Sequence, residues 1–272
     1  MMTYKTKDDF NLKVIAESGQ CFRFNENTDG SFSIIASGKV LNIKEITSGK
    51  NKEHVFELDC SMKDFDKIWS SYFDIETDYS SIRKLAVNDA FLKECSAFSE
   101  GMRILNQDKW EMTISFIISQ RKSIPAIKTS IERLCKLCGD KISDNAYAFP
   151  TPNQILSADV NKLASCGLGY RLSYILSSAE TFYSDPDYVK RLETLSDEEL
   201  IEELKKMQGV GDKVASCIAL FGFHRLNFFP KDVWIYRALD EHYPSGFDFD
   251  LYKPYNGVIQ QYIFFAYRDS HK

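Results

Sequence analysis

Apolar and polar positions alternate along the first part of the chain. Cys21-Phe22-Arg23-Phe24 alternates and leads into a turn-rich stretch from Asn25 to Gly30 that ends in Asp29-Gly30. Asp-Gly beside alternating segments signals a hairpin, because both residues tolerate a left-handed backbone. Residues 31–37 and 40–46 read as the next strands, split by Gly38-Lys39, and His54-Val55-Phe56-Glu57-Leu58 as another. One apolar face per strand predicts an antiparallel sheet packed on a core. From about residue 62 the period changes: Phe65, Ile68, Trp69, Tyr72 and Phe73 recur at helical spacing. Further helical patterns cover 78–86, 88–97, 108–119, 124–138, 152–157, 159–165, 170–184, 197–206, 213–223, 231–243 and 252–265. Ser196-Asp197-Glu198-Glu199 is a capping box for one of them. The expected class is α+β: an N-terminal antiparallel sheet domain over residues 1–80, then an all-helical body over 81–272.

Composition narrows the setting. The 272 residues are 44% hydrophobic and 27% charged, with 34 Lys+Arg against 39 Asp+Glu and a formal charge of −5. These values exclude a disordered tail, a collagenous chain and a coiled-coil rod. No apolar run approaches the ~20 residues that span a bilayer, and Met1-Met2-Thr3-Tyr4-Lys5 lacks a secretory pattern. The expectation is an intracellular protein without a membrane partner. The acidic balance argues against non-specific polyanion binding but leaves a locally basic site open. Seven cysteines are expected to be thiols. Cys135-Lys136-Leu137-Cys138 has metal-like spacing but no second pair to complete four ligands, so two cysteines on a helix is the better reading.

One stretch carries chemistry. In Leu204-Lys205-Lys206-Met207-Gln208-Gly209-Val210-Gly211-Asp212-Lys213-Val214-Ala215-Ser216-Cys217 a helix ends, Gly209-Val210-Gly211 turns, and a second helix begins. Glycines permit positive φ and close backbone approach to an anion, and a helix N-terminus adds a partial positive charge. This is a helix-hairpin-helix signature, spanning about 197–223, that grips a DNA backbone without reading sequence. A bare turn with geometric glycines is the blander reading, and the whole string disfavours it. About twenty residues on, Phe228-Phe229-Pro230-Lys231-Asp232-Val233 places a carboxylate where a helix N-cap belongs.

The hairpin, the spacer and the Pro-x-Asp-Val resemble the helix-hairpin-helix DNA glycosylase superfamily. A Lys after Gly-Val-Gly-x is similar to its bifunctional glycosylase/lyase members. Ser18-Gly19-Gln20-Cys21-Phe22-Arg23, Leu105-Asn106-Gln107-Asp108, Phe116-Ile117-Ile118-Ser119, Leu168-Gly169-Tyr170-Arg171 and Gly257-Val258-Ile259-Gln260 resemble 8-oxoguanine DNA glycosylases. The likeness runs in order from about residue 10 to 268. It implies base excision repair of damaged double-stranded DNA by a monomer. Lys213 would attack the sugar C1′ as a neutral amine, which the helix N-terminus and partial burial would favour, and form a Schiff base. Asp232 would stabilise the cationic sugar while capping its helix.

The resemblance also implies a flipped-base pocket. Cys217 and Phe264 would be its walls, Gln260 would bond the Watson–Crick edge, and the Gly19 carbonyl would accept the N7–H that guanine lacks. Leaving that acceptor unpaired costs ~1–3 kcal/mol, so discrimination needs further terms. Tyr170 would wedge into the gap and Arg171 would read the orphaned base, while Gln120, Arg121, Gly209, Val210 and Gly211 complete the DNA contacts. The iron–sulfur cysteine array of some superfamily members is missing, since Cys217 is the last cysteine, so no cofactor is expected. An alkali metal ion at the hairpin carbonyls is compatible with the resemblance, though no side chain marks it.

The chain departs from the family pattern in three places. Arg121 falls where a base-contacting Asn is expected, Ala126 where a cytosine-reading Arg is expected, and Trp234 where His is expected. The first two imply a relaxed preference for the base opposite the lesion, and all three suggest a microbial-type branch. Two alternatives remain open at this level: a glycosylase for another base, such as an alkylated purine, and a noncatalytic DNA-binding module.

Overall fold

The structure, a computed structural model, describes residues 1–48 and 53–271. Five strands form one antiparallel sheet: β1 (Met2–Thr6), β2 (Phe24–Glu26), β3 (Phe32–Ala36), β4 (Lys39–Ser48) and β5 (His54–Leu58), in the order β1-β5-β4-β3-β2. Residues 40–46 fall inside β4 as expected. The turn into it is Ser37-Gly38, not Gly38-Lys39, because Ala36 pairs with Lys39 and φ is positive at both turn residues (52° and 68°). That is the backbone a two-residue hairpin with native twist demands. Gly30 likewise takes φ 76° at the first hairpin.

Two elements here escape the alternation argument. β1 pairs along β5, Met2 opposite Leu58 and Thr6 opposite His54. Helix α1 (Leu12–Glu17), capped by Asn11, has too few turns for its period to register. The predicted strand at 21–24 is displaced to Phe24–Glu26 for a tertiary reason. Cys21, Phe22 and Arg23 are all buried because this segment runs between two cores. Phe22 packs in the helical body, Cys21 and Phe24 under the sheet.

The helical stretch after the sheet comprises α2 (Met62–Asp64), a π turn (Phe65–Trp69) and α3 (Ser70–Tyr72), burying Phe65, Trp69 and Phe73 under the sheet. The body follows with α4 (Tyr79–Lys84), α5 (Ala90–Phe98), α6 (Lys109–Ser119) and α7 (Ile124–Cys138). A small hairpin, β6 (Lys141–Ser143) and β7 (Ala146–Tyr147), precedes α8 (Pro152–Leu156), α9 (Val160–Ala164) and α10 (Arg171–Ser184). Then come α11 (Tyr188–Thr194), α12 (Asp197–Lys205), α13 (Asp212–Phe221), α14 (Val233–His242) and α15 (Asn256–Ser270). The Ser196–Glu199 capping box forms at α12. The helix expected at 252–265 starts later. Pro254 lacks an amide hydrogen for a helix interior, so a short 3-10 turn (Phe249–Tyr252) stops before it and α15 begins at Asn256. Cys135 and Cys138 both lie on α7, the first buried and the second half-buried.

Arg103 joins the two bodies. It is 1% exposed, and its guanidinium bonds Asp8 at 2.6 Å and the carbonyls of Phe73, Asp9, Asp74 and Thr77. Gln20 does the same nearby: its amide accepts from Leu105 N at 2.7 Å and donates to Arg103 O at 2.8 Å. Gln107 in return bonds the Gln20 carbonyl at 2.9 Å. The segment holding Gly19 is therefore fixed to residues 103–107, which lead into α6. No helix among the described residues is long and apolar enough to cross a membrane.

Candidate active site

The hairpin sits between α12 and α13. Gly209 takes φ 79°, and a Cβ there would stand 2.2 Å from a ring carbon of Tyr174, so glycine is required twice over. Gly211 differs from the expectation that both glycines supply positive φ. Its φ is −102° and a Cβ there would meet open space. It is the N-cap of α13 and has no side chain to cap with, so the first-turn amides of α13 stay free to meet an anion from outside. Lys205 pairs with the exposed Asp212 at 2.9 Å beside this turn.

Lys213 occupies the first turn of α13, with Nζ 6.0 Å from the ring centre of Phe116. It is exposed at the mouth of a cleft, where partial burial was expected. Water leaves this amine only when a ligand covers the cleft. Cys217, one turn on, is 3% exposed and lies beside Lys213 in the recess. Burial pushes the Cys217 thiol upward, against the pull of Lys213 and with the help of Asp232. Cys217 thus stays a neutral, soft wall and does not compete as a nucleophile.

Asp232 caps α14 as expected: its Oδ1 accepts from Ile235 N at 2.9 Å. The same side chain lines the cleft with Lys213. Pro230, just before it, receives the Gln260 amide at 3.1 Å, and Gln260 Oε1 accepts from Gln261 at 2.9 Å. Gln260 and Phe264 stand one turn apart on α15, facing the same recess.

The outer cleft has a volume of about 680 Å³ and narrows to an inner recess of about 50 Å³. Gly19, Phe116, Lys213, Asp232 and Phe264 line both, and Cys217 and Gln260 lie deeper. All six residues assigned to catalysis and base recognition therefore converge, from the loop after α1, from α13, from the start of α14 and from α15. The recess has room for about one or two waters, far less than a purine. Phe264 explains the shortfall: its Cε1 lies 3.3 Å from where a Gly19 Cβ would be. Gly19 has φ 79°, so this position favours glycine on backbone grounds as well. Lys122, Lys128, Lys213 and Arg268 line the cleft against Glu17 and Asp232, a local basic excess that the net charge conceals.

The remaining DNA-contact candidates gather at a second edge, where the α6–α7 loop meets the turn before α10. Arg121 is exposed, with φ 51°. That left-handed backbone suits the Asn that the resemblance led one to expect better than Arg. Tyr170 is 52% exposed, as a wedge requires. Arg171 is not the solvated arginine that a helix start suggests. It is 6% exposed, its guanidinium bonds the carbonyls of Gln120 and Leu168, and it lies 4.4 Å from the Tyr170 ring centre. In this arrangement Arg171 braces the loop that carries Gln120, and Lys122 ties the same loop to Ser130 and to the Gly167 carbonyl at 2.6 Å. Ala126 lies exposed in the first turn of α7.

Sequence reasoning missed Arg268 in the cleft wall. Its signal was present: 260, 264 and 268 continue one four-residue spacing along α15. Among the described residues no cluster of three or more His, Cys, Asp or Glu side chains could hold a metal.

A family model described as the N-terminal domain of 8-oxoguanine DNA glycosylase matches residues 2–113, and one described as an HhH-GPD superfamily base excision DNA repair protein matches residues 114–248. A solved structure of MBOgg1 in complex with a low affinity DNA ligand superimposes with TM-score 0.90 at 35% identity, over 99% of this chain and 96% of that one. The chain belongs to the 8-oxoguanine DNA glycosylase family. A second member, the Clostridium acetobutylicum 8-oxoguanine glycosylase/lyase in complex with double-stranded DNA containing cytosine opposite 8-oxoguanine, superimposes with TM-score 0.88 at 32% identity, covering 100% and 99% of the two chains. The probable N-glycosylase/DNA lyase of Methanothermobacter thermautotrophicus is 32% identical over 201 residues, which are 65% of this chain and 62% of that protein. The chain thus spans less than two thirds of that curated relative. The glycosylase family architecture accounts for the sheet domain, the hairpin and the cleft together.

Proposed function

We propose that this chain is a bifunctional DNA glycosylase and abasic-site lyase that excises 8-oxoguanine from duplex DNA. The observation carrying this reading is the convergence of Lys213, Asp232, Cys217, Gln260, Phe264 and Gly19 on one recess beside a phosphate-facing hairpin. The hairpin amides hold the backbone, and the damaged nucleotide swings out into the cleft. Phe264 moves aside, and the base enters between it and Cys217 with its N7–H toward the Gly19 carbonyl.

Lys213 Nζ attacks C1′ as the bond to the base nitrogen breaks, and the base leaves with its electrons and gains a proton. The Asp232 carboxylate faces the positive charge that grows on the sugar. Ring opening turns the aminal into a Schiff base. Loss of a C2′ proton then expels the 3′-phosphate by β-elimination, and water releases Lys213. An alkali ion at the hairpin would be held by the Gln208, Gly209 and Val210 carbonyls, which accept none of the turn's own backbone hydrogen bonds. No step is routed through it.

The opposite base is read weakly in this proposal. Ala126 offers no guanidinium to cytosine, and Nη1 and Nη2 of Arg171 are taken by backbone carbonyls. The central test is borohydride trapping on duplex DNA with one 8-oxoguanine, using wild type and Lys213→Gln. A covalent adduct with wild type alone is expected. DNA binding without any wild-type adduct would overturn the proposal in favour of a monofunctional enzyme, another lesion or a noncatalytic module.

A further inference from the structure

Arg268 is buried at the base recess with donors to spare. It stands one turn beyond Phe264 on α15 and is 9% exposed. Nη2 donates to the Glu17 carbonyl at 2.9 Å, two residues before Gly19. Nε and Nη1 are buried and have no hydrogen-bond partner. Nη1 lies 3.6 Å from where a Cβ on Gly19 would stand, and the guanidinium centre is 5.0 Å from the Phe264 ring centre. Glu17 and Asp232 also line this wall, and Asp269 is its sequence neighbour, yet none of these carboxylates bonds Nη1 or Nε. Guanidinium donors are rarely left dry without an acceptor to serve. Beside an open cleft, that acceptor comes with the ligand.

Position identifies the acceptor. The base enters by displacing Phe264, the ring now stacked beneath the guanidinium. On an oxidised purine the N7–H and the C8 carbonyl are neighbours on one ring edge. If the Gly19 carbonyl accepts the N7–H, a donor standing beside Gly19 faces O8. Guanine has an acceptor at N7 and a C–H at C8, so it matches neither half of this pair. We infer that Arg268 is a specificity-determining residue that donates to the C8 oxygen of the flipped base, paired with the Gly19 carbonyl as an acceptor–donor clamp. The inference rests on the proposed glycosylase function and supplies the second discriminating contact that a single N7–H bond lacks.

A backbone phosphate oxygen is the other acceptor that DNA offers, and loss of the Glu17 contact could act indirectly by loosening Gly19. Binding measured in a Lys213→Gln background, which blocks turnover, separates these. Duplexes would carry 8-oxoguanine, guanine, a tetrahydrofuran abasic analogue, 7-deaza-8-oxoguanine or 7-deazaguanine. The last two both lack the N7–H, and only the first carries an oxygen at C8, beside a C7 methylene where the second has a C7–H.

The expected result is that Arg268→Met lowers affinity for the 8-oxoguanine duplex at least ten-fold more than for the tetrahydrofuran duplex. It should also erase the preference for 7-deaza-8-oxoguanine over 7-deazaguanine, and Arg268→Lys should restore part of it. Equal losses on the 8-oxoguanine and tetrahydrofuran duplexes would overturn the inference in favour of a phosphate contact. A 7-deaza preference untouched by Arg268→Met would reduce Arg268 to a brace for Gly19. If Arg268→Met does not fold, Arg268→Gln, whose amide reaches only the Nε position and stops short of Nη1 beside Gly19, takes its place under the same criteria. Absence of any preference for 8-oxoguanine over guanine before Arg268 is altered would sink the functional reading itself, a distinct outcome.

Discussion

The ring of Tyr174 lies so close to Gly209 that a Cβ on that glycine would stand 2.2 Å from Tyr174 Cδ2. The contact seats the hairpin, the proposed grip on DNA, on α10, whose start carries the wedge candidate Tyr170 and the brace Arg171. Gly209→Ala adds left-handed strain of ~1–2 kcal/mol to that clash. The expected outcome is a melting temperature lower by about 5 °C or more. Gly211→Ala is expected to separate the two roles of the turn. Its Cβ meets open space and its φ is ordinary, so stability should change by less than about 0.5 kcal/mol. DNA affinity should still fall about ten-fold, since the methyl stands before the amides that meet phosphate. Thermal melts alongside binding to undamaged duplex check both.

Asp232 caps α14 and, in the proposed mechanism, also faces the charge that grows on the sugar. Asn caps a helix about as well as Asp, so Asp232→Asn should stay within about 0.5 kcal/mol of wild-type stability. Excision of 8-oxoguanine under single-turnover conditions should fall ~100-fold or more, the scale on which a preorganised charge acts. Matching losses of stability and rate would return Asp232 to a purely structural cap.

Arg103 tests how the sheet and the body are joined. Arg103→Met strands Asp8 and four carbonyls that the guanidinium now satisfies, at a cost of ~3–5 kcal/mol. Urea unfolding should show that loss, and it would be inconsistent with a midpoint close to wild type.

Opposite-base choice follows from Ala126 and Arg171. Excision rates with cytosine and with adenine opposite the lesion are expected to agree within about ten-fold. Ala126→Arg, on the exposed first turn of α7, should widen the ratio toward cytosine by about ten-fold, the scale of one bidentate base contact. A strong cytosine preference in the unaltered protein would refute the reading of this loop.

Glu111 supplies a pH dependence. Burial pushes its carboxyl up to about 8, with Arg23 at 4.0 Å pulling the other way. The folded chain therefore holds this proton where the unfolded chain, with an ordinary Glu near ~4.3, has released it. Its contribution to stability is full below about pH 4 and is lost as pH rises toward about 8. Glu111→Gln should flatten this decline. Urea midpoints at pH 5.5 and 8.5 would show wild type losing more than the variant.

Much of the architecture was legible in the chain itself. Period-two and period-3.6 patterns located three of the five strands closely and most of the helices, because those elements bury one face against one core. Ser196 and Asp232 announced their helices through cap chemistry that is local by nature. The hairpin was legible too, since its glycines, its helix starts and Lys213 are adjacent in sequence. What escaped were elements whose form depends on distant partners. β1 acquires its ladder from β5, about fifty residues away, and Cys21-Phe22-Arg23 is buried on all sides because two cores meet there.

The site divides along the same line. Sequence by itself determined the groups one turn apart, Lys213 with Cys217 and Gln260 with Phe264, because helical spacing alone puts them on one face. Only tertiary structure decided that Gly19 meets Phe264, that Arg171 turns inward to brace a loop, and that Arg268 is buried with unused donors beside Gly19. Those relationships span up to about 250 residues of chain, and no periodicity encodes them. They arise from how Gln20, Gln107 and Arg103 lock the N-terminal segment onto the helical body.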